Sequence, residues 1–166
     1  MANKSGNEIE RRWLLESVPM VINTKLSEYE SNLIKQWYIT KSPVIRLRSI
    51  DDVKYELTIK TQSENKKKDS IGTPESNIPL SEIEFYNLLP RSTTRPIIKR
   101  RYLIPLQDRM TAELDIFLSE HKGLIIVEVE FRSEVEAKHF IAPAWFGKKE
   151  ITGIKEYSNS SLAIDL

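Results

Sequence analysis

The segment Leu124-Ile-Ile-Val-Glu-Val-Glu-Phe-Arg132 alternates carboxylates with large apolar side chains. Glu128 and Glu130 occupy one side of the alternation, and apolar residues occupy the other. Successive side chains of a β-strand point to opposite faces, so this period of two predicts a strand with one charged face and one apolar face. Thr111–Leu118 repeats the pattern, with Glu113 and Asp115 on its polar side.

Like charges two residues apart recur along the chain within similar apolar segments. The other pairs are Glu8 with Glu10, Arg46 with Arg48, and Lys99 with Arg101. Such charges lie ~6.5 Å apart on one strand face. At an effective dielectric near 20, they repel by roughly 2.5 kcal/mol. We therefore expect opposite charge to offset them: an anion for the cations, and metal ions for the carboxylates.

Strands and a smaller helical content are predicted from alternation and from turn residues. The strands are Glu8–Leu15, Gln36–Thr40, Val44–Ile50, Val53–Thr61, Ile97–Pro105, Thr111–Leu118 and Leu124–Arg132. Helices are predicted from Ser81 to Pro90, from Ser133 to Phe140, over Ser27–Ile34 and over Ser158–Leu166. Asp51-Asp52 is expected to form a tight turn, and Gln62–Asn77 a loop or hairpin with an edge strand near Thr73–Ile78. This order favours a mainly β, mostly antiparallel sheet or barrel in a single domain spanning residues 1–166.

The composition is typical of a globular protein and excludes several classes of function. The 166 residues are 40% hydrophobic and 30% charged, and the net charge of +1 gives no overall attraction to nucleic acid or anionic membranes. The absence of Cys excludes disulfides, thiolate chemistry and cysteine zinc sites. The first residues lack the apolar segment of a signal peptide. We therefore expect a cytoplasmic protein, monomeric or homodimeric, with no nucleic-acid or membrane partner.

The charged strand faces have two interpretations. One face of an antiparallel sheet is commonly solvated, and periodicity alone favours that interpretation. The clustering of one sign within each strand, with helical segments available to cover the apolar faces, favours instead a barrel with a charged interior. Carboxylates are the ligands that Mg²⁺ and Mn²⁺ prefer, and Arg and Lys bind phosphate oxygens. Together these groups are typical of phosphoryl transfer.

An ordered set of motifs resembles the CYTH family, the triphosphate tunnel metalloenzymes. Glu8-Ile-Glu-Arg-Arg12 resembles the family's Glu-x-Glu-x-Lys signature. The remaining motifs follow in the family's order: Val44–Arg48, Leu57–Lys60, Ile98–Tyr102, Ala112–Asp115, Ile126–Glu130, Glu150–Gly153 and Tyr157–Asn159. The resemblance implies an eight-stranded antiparallel closed tunnel with a charged lumen, helices outside and a C-terminal plug helix. It also implies hydrolysis of a triphosphate with Mg²⁺ or Mn²⁺.

The resemblance also implies roles for individual residues. The metal ligands would be Glu8, Glu10 and Glu130, with Glu128. Glu113, Asp115 and Glu128 would assist the metal site or position the attacking water. Phosphate would be bound by Arg12, Arg46, Arg48, Lys60, Lys99 and Arg101, of which Arg12 and Lys60 would also be catalytic together with Glu113 and Asp115.

Three positions depart from the family pattern, and two other functions remain open. Arg12 stands where the signature has Lys, Asn77 where a strand has alternating acids, and Ile154 where an Asp is common. The leading hypothesis is hydrolysis of inorganic tripolyphosphate or a small organic triphosphate. The alternatives are an adenylate cyclase of the class IV type, and a polyphosphate- or nucleotide-binding protein without catalytic activity.

Overall fold

The computed structural model of the chain describes residues 4–20, 25–60 and 72–166. Nine strands lie within these residues: β1 (Lys4–Leu15), β2 (Glu30–Lys41), β3 (Val44–Ile50), β4 (Lys54–Lys60), β5 (Gly72–Leu80), β6 (Ile97–Pro105), β7 (Thr111–Phe117), β8 (Ile125–Phe131) and β9 (Lys149–Glu150). The same residues contain three short α-helices: α1 (Glu82–Leu88), α2 (Glu134–His139) and α3 (Asn159–Leu162). The prediction of a mainly β chain with few helices is confirmed.

The strands form one antiparallel sheet in the order β5-β4-β3-β2-β6-β7-β8-β1-β9. β1 has two long neighbours along its length. Its residues Ile9–Leu15 pair with β8, and its residues Lys4–Ile9 pair with β5. The paired strands can therefore be followed from β1 through β5, β4, β3, β2, β6, β7 and β8 back to β1.

The apolar faces of the strands pack against the helical segments, as their alternation predicts. Trp13 of β1 and Val127 of β8 belong to a buried cluster that includes Ala137 of α2 and Phe146. Leu47 and Tyr55 pack with Phe85 of α1 in a second cluster. Burial of these side chains leaves the charged residues of the same strands on the opposite face.

A third apolar cluster lies at one end of the charged face. Phe117 and Ile126 follow the strand period of Asp115 and Glu128, and both are buried against Ile151 and Ala163 of the C-terminal segment. Lys41 fixes this segment in place. Its Nζ donates to the carbonyl of Ala163 at 2.7 Å and lies 2.6 Å from Asp165 Oδ1.

Local signals for turns and helix ends are confirmed. Asp51 and Asp52 have φ values of 53° and 55°, and positive φ at both central residues is what a type I′ hairpin turn requires. Ser81 and Glu84 form the predicted capping box of α1. Ser133 caps α2 by accepting a hydrogen bond from the backbone N–H of Glu136 at 3.1 Å.

One predicted helix is wrong, a predicted edge strand is present but has neighbours on both sides, and the C-terminal helix is shorter than expected. The helix over Ser27–Ile34 is absent: Leu26–Glu28 forms a 3-10 turn and β2 follows at Glu30, because pairing with β3 and β6 outweighs a helical spacing of apolar residues. The edge strand near Thr73–Ile78 is β5, which pairs on both sides, with β4 and β1. The C-terminal helix is limited to α3.

Part of the predicted loop at Gln62–Asn77 lies outside the described residues, which resume with β5. No helix in the described ranges is long and apolar enough to cross a bilayer.

Candidate active site

A cavity of about 220 Å³ lies on the charged face of the sheet. Ten of the predicted site residues line it: Glu8, Glu10, Arg12, Arg46, Arg48, Lys60, Arg101, Glu113, Glu128 and Glu130. They come from six different strands, so the sheet pairing gathers charges that are far apart in sequence. The cavity therefore places the predicted carboxylates and the predicted cations in one site.

Strand register determines which charges face one another. Glu10 lies opposite Glu130 across the β1–β8 pair, and Arg12 lies opposite Glu128. Glu113 of β7 also lies opposite Glu128. Directly opposed side chains on one face have Cβ atoms only ~5 Å apart. The register thus creates a cluster of four carboxylates with Arg12 at its border.

Arg101 connects the acidic side chains of β7 and β8. Its Nε and Nη2 each lie 2.7 Å from an oxygen of Asp115, which makes a bidentate pair. Nη2 also donates to Glu128 Oε1 at 2.5 Å, and Nη1 donates to Glu113. Burial alone would raise the pKa of Glu128. The charges of Arg101, Lys99 and Arg12 outweigh burial and hold this pKa well below its usual range. Glu128 is therefore a fixed carboxylate.

Lys60 and Arg46 form a second network, with members on β1, β3, β4 and β5. Lys60 Nζ lies 2.5 Å from both Glu8 Oε2 and Glu75 Oε2. Burial raises the pKa of Glu75, but a hydrogen bond with Glu8 and the charge of Lys60 outweigh burial and lower the pKa to about 2. Arg46 Nη2 donates to Thr58 Oγ1 at 3.0 Å, and Thr58 in turn donates to Asn77 Oδ1 at 2.6 Å.

Three arginines retain buried nitrogens that make no hydrogen bond within the described part of the chain. They are Nε and Nη2 of Arg12, Nε of Arg46 and Nε of Arg48. Arg12 Nε lies 3.2 Å from Glu128 Oε2, a distance short enough for an ion pair but without hydrogen-bond geometry. Buried donors without acceptors cost free energy, on the order of 1–3 kcal/mol each. A phosphate group in the cavity would supply acceptors for them.

Carboxylates in the cavity have raised pKa values although most of them lie near a cation, with Glu10 at 3.9 Å from Arg12 Nε. Burial raises the pKa of Glu10, repulsion from Glu128 and Glu8 adds to the rise, and the resulting pKa is about 8. Burial also raises the pKa of Glu8 and of Glu113 to about 7. Glu130 has no ion pair with another residue in the described ranges. The site therefore favours a cation near the opposed Glu10 and Glu130.

Lys99 and Asp115 are the two predicted residues that do not line the cavity. Both are fully buried and form an ion pair with each other. Burial lowers the pKa of Lys99 to about 8, and its Nζ lies 5.5 Å from the ring centroid of Phe117. This places Lys99 beside the apolar end of the charged face.

Comparison with known proteins identifies the family. The chain is 33% identical over 162 residues to the inorganic triphosphatase of Nitrosomonas europaea, covering 96% of this chain and 98% of that protein. The chain belongs to the CYTH, or triphosphate tunnel metalloenzyme, family. The inorganic triphosphatase of Acetivibrio thermocellus is 31% identical, with 95% of this chain and 93% of that protein covered. No sequence-family model matches the chain.

The fold agrees with that of a solved member of the CYTH family. The crystal structure of the inorganic triphosphatase NE1496 superposes with a TM-score of 0.64 at 33% identity, covering 96% of this chain and 95% of that chain.

Sequence reasoning missed part of this CYTH site. The Tyr157–Asn159 motif predicts no individual roles, yet its Ser158 and Asn159 line the cavity together with Ser160. Glu75 is not among the predicted site residues, yet it is buried and its Oε2 lies 2.5 Å from Lys60 Nζ. Asn77, one of the departures from the family pattern, donates to Glu75 Oε1 at 2.8 Å and thereby orients that carboxylate.

Proposed function

We propose that the chain is a metal-dependent triphosphatase that hydrolyses inorganic tripolyphosphate to orthophosphate and diphosphate. The observation that carries the proposal is the cavity lined by carboxylates and by Arg12, Arg46 and Arg48, which keep buried nitrogens without a hydrogen bond in the described part of the chain. The two relatives, at 33% and 31% identity, are both inorganic triphosphatases. A cytoplasmic location is consistent with this substrate.

The reaction is proposed to take place inside a closed tunnel of eight strands. The pairing of β1 with both β5 and β8 supports closure. Each of the eight long strands then has a paired neighbour on both sides for at least part of its length. The contacts of Ile151 and Ala163 with Phe117 and Ile126 support a C-terminal plug at one end. Substrate would then enter from the opposite end, on the side of Glu113 and Glu130.

The donor set fits Mg²⁺ or Mn²⁺ held by Glu10 and Glu130, with Glu8 beside them. Hard oxygen ligands suit these ions, and burial together with the charges of Glu128 and Glu8 raises the pKa of Glu10 to about 8, so a bound cation would stabilise its ionised form. Among the described residues, no three acidic or His side chains are gathered at ligating distance. Glu8 is instead bonded to Lys60, and Glu113 and Glu128 are bonded to Arg101. When bound, the metal ion would withdraw charge from phosphate oxygens and orient the attacking water.

The side chains of the chain divide the remaining work. Arg12, Arg46 and Arg48 bind phosphate oxygens through their unpaired nitrogens. Glu113 has a pKa raised to about 7 by burial and can accept a proton from the attacking water. The water oxygen forms a bond to a terminal phosphorus, the P–O bond to the bridging oxygen breaks, and diphosphate leaves. Arg101 fixes Glu113 and Glu128 during this step.

Phosphate release from tripolyphosphate, with and without Mg²⁺ or Mn²⁺, tests the proposal. We expect turnover that requires a divalent metal and is lost when a chelator is added. Folded protein that releases no phosphate with either metal would contradict the proposal. Formation of cyclic AMP from ATP as the main reaction would instead assign the cyclase function, and tight binding of tripolyphosphate without turnover would assign a binding function.

A further inference from the structure

A second cavity, of about 140 Å³, adjoins the candidate active site. Arg109, Arg132 and Glu136 line it together with Glu113 and Glu130, and the last two also line the main cavity. The two cavities thus share a wall made of carboxylates at the proposed catalytic centre. This second cavity is called the rim cavity below.

The rim cavity lies at the end of the charged face that the C-terminal segment does not cover. Along β8, Ile126 packs against the C-terminal segment, Glu130 lies further along the same face, and Arg132 follows just beyond the strand. Ile126 and Arg132 are therefore separated by ~20 Å of extended chain. β7 runs antiparallel to β8, so the turn that precedes β7, which contains Arg109, reaches the same end.

Within the described residues, the two arginines of the rim cavity have no ion-pair partner. Both side chains are exposed, and neither forms an ion pair with a residue in the described ranges. Glu136, which also lines the rim cavity, accepts a hydrogen bond from the backbone N–H of Arg132 at 2.8 Å. Three carboxylates share the cavity with the two guanidinium groups, but Glu113 accepts from Arg101 and Glu136 accepts from the backbone of Arg132. The guanidinium groups can therefore donate to the oxygens of an anion.

We propose that Arg109 and Arg132 bind the terminal phosphoryl group at the open end of the substrate and thereby select inorganic tripolyphosphate over nucleoside triphosphates. This inference rests on the proposed function. Tripolyphosphate ends in a free phosphoryl group on both sides, whereas a nucleoside triphosphate carries an ester and a nucleoside on one side. A guanidinium pair binds the oxygens of a free, doubly charged phosphoryl group bidentately. The esterified end offers fewer free oxygens and less charge, and the nucleoside must also fit past the rim.

The two arginines are specificity-determining residues, so their substitution is expected to change the preference between substrates. We expect Arg132→Gln and Arg109→Gln each to lower kcat/KM for tripolyphosphate about tenfold, and kcat/KM for ATP by less than about threefold. Arg109 has a φ of 60°, and Gln tolerates this conformation no worse than Arg does, so the backbone is retained. Arg95→Gln is the matched control, because it removes one exposed arginine at the covered end, where the backbone N–H of Arg95 bonds to Ile164.

An equal loss with both substrates, or no loss with either, would overturn the inference, provided that circular dichroism shows folded variants. Calorimetric binding of tripolyphosphate and of ATP gives a readout that does not need turnover. If the native chain hydrolyses no triphosphate, the proposed function fails. The selection inference still holds in that case if the native chain binds tripolyphosphate more tightly than ATP and Arg132→Gln removes the difference. It fails if the difference is the same in both proteins.

Discussion

Glu10→Gln should stabilise the metal-free protein while removing most of its activity. Glu10 lies opposite Glu130, and its pKa is raised from 4.5 to about 8 by burial and by the charges of Glu128 and Glu8. Each unit of pKa shift corresponds to ~1.4 kcal/mol, so the whole shift would represent roughly 5 kcal/mol at alkaline pH. The Glu10 side chain is 33% exposed, and water screens part of this repulsion. We therefore expect a gain of about 1–2 kcal/mol in the free energy of unfolding.

The gain in stability and the loss of function are measured separately. Urea unfolding at pH 8.5 in the presence of a chelator gives the free energy of unfolding of the metal-free protein. Phosphate release from tripolyphosphate with Mg²⁺ or Mn²⁺ gives kcat/KM, which we expect to fall at least about tenfold because a metal ligand loses its charge.

Glu128→Gln is the matched control, because it makes the same isosteric change on the same face. Glu128 is held by Arg101 at 2.5 Å and has a lowered pKa, so its loss should destabilise the metal-free protein by about 3 kcal/mol. The two variants are thus expected to shift stability in opposite directions. If Glu10→Gln also destabilises the metal-free protein, or leaves the requirement for metal unchanged, the assignment of Glu10 to a metal site is refuted.

Three further predictions concern other parts of the molecule. Arg11→Met should lower the free energy of unfolding by about 1–2 kcal/mol without changing kcat/KM, because the guanidinium bonds to Glu150 and to two carbonyls outside the cavity; a changed kcat/KM would contradict this. Lys99→Met should lower the free energy of unfolding by about 2 kcal/mol and leave KM for tripolyphosphate within about threefold of its native value. Arg46→Met should raise KM at least about tenfold. Equal effects on KM would show that Lys99 also binds phosphate. The three carboxyls whose pKa values are raised to about 7–8 contribute stability that is complete below pH ~4.5 and is lost as pH rises through 7–8. The melting temperature of metal-free protein should therefore fall between pH 5 and 8.5, and saturating Mg²⁺ should reduce that fall; a rise over this range would contradict the pKa assignments.

Alternation in the sequence was sufficient to predict the charged face, because the period of two is a local property of a strand. It gave the correct face for Glu128, Glu130 and Arg101, all of which line the cavity. It could not give the partners of each charge. Those depend on register, which is set by pairing between strands that are distant in sequence, as between β1 and β8.

Helical spacing was less reliable than strand alternation for the same physical reason. Apolar residues four positions apart, beginning at Tyr29, fit a helix. The segment from Glu30 onward nevertheless lies between β3 and β6 and pairs with both. Those backbone bonds are non-local and leave no mark in the segment itself. The contribution of Ser158–Ser160 to the cavity was missed for a related reason, since it arises only when the C-terminal segment packs against β7 and β8.

Lys99 and Arg101 show why a shared face does not imply a shared function. Both point to the charged face of β6, but only Arg101 lines the cavity. Lys99 is one step closer to the apolar end, where it is fully buried beside Phe117 and neutralised by Asp115. A cation already paired with a buried carboxylate gains little from phosphate, since binding would require that pair to separate. Arg12 Nε lies 3.2 Å from Glu128, but its Nε and Nη2 make no hydrogen bond within the described residues, so phosphate would add hydrogen bonds there without breaking any, and we expect most of the affinity for phosphate to come from such arginines.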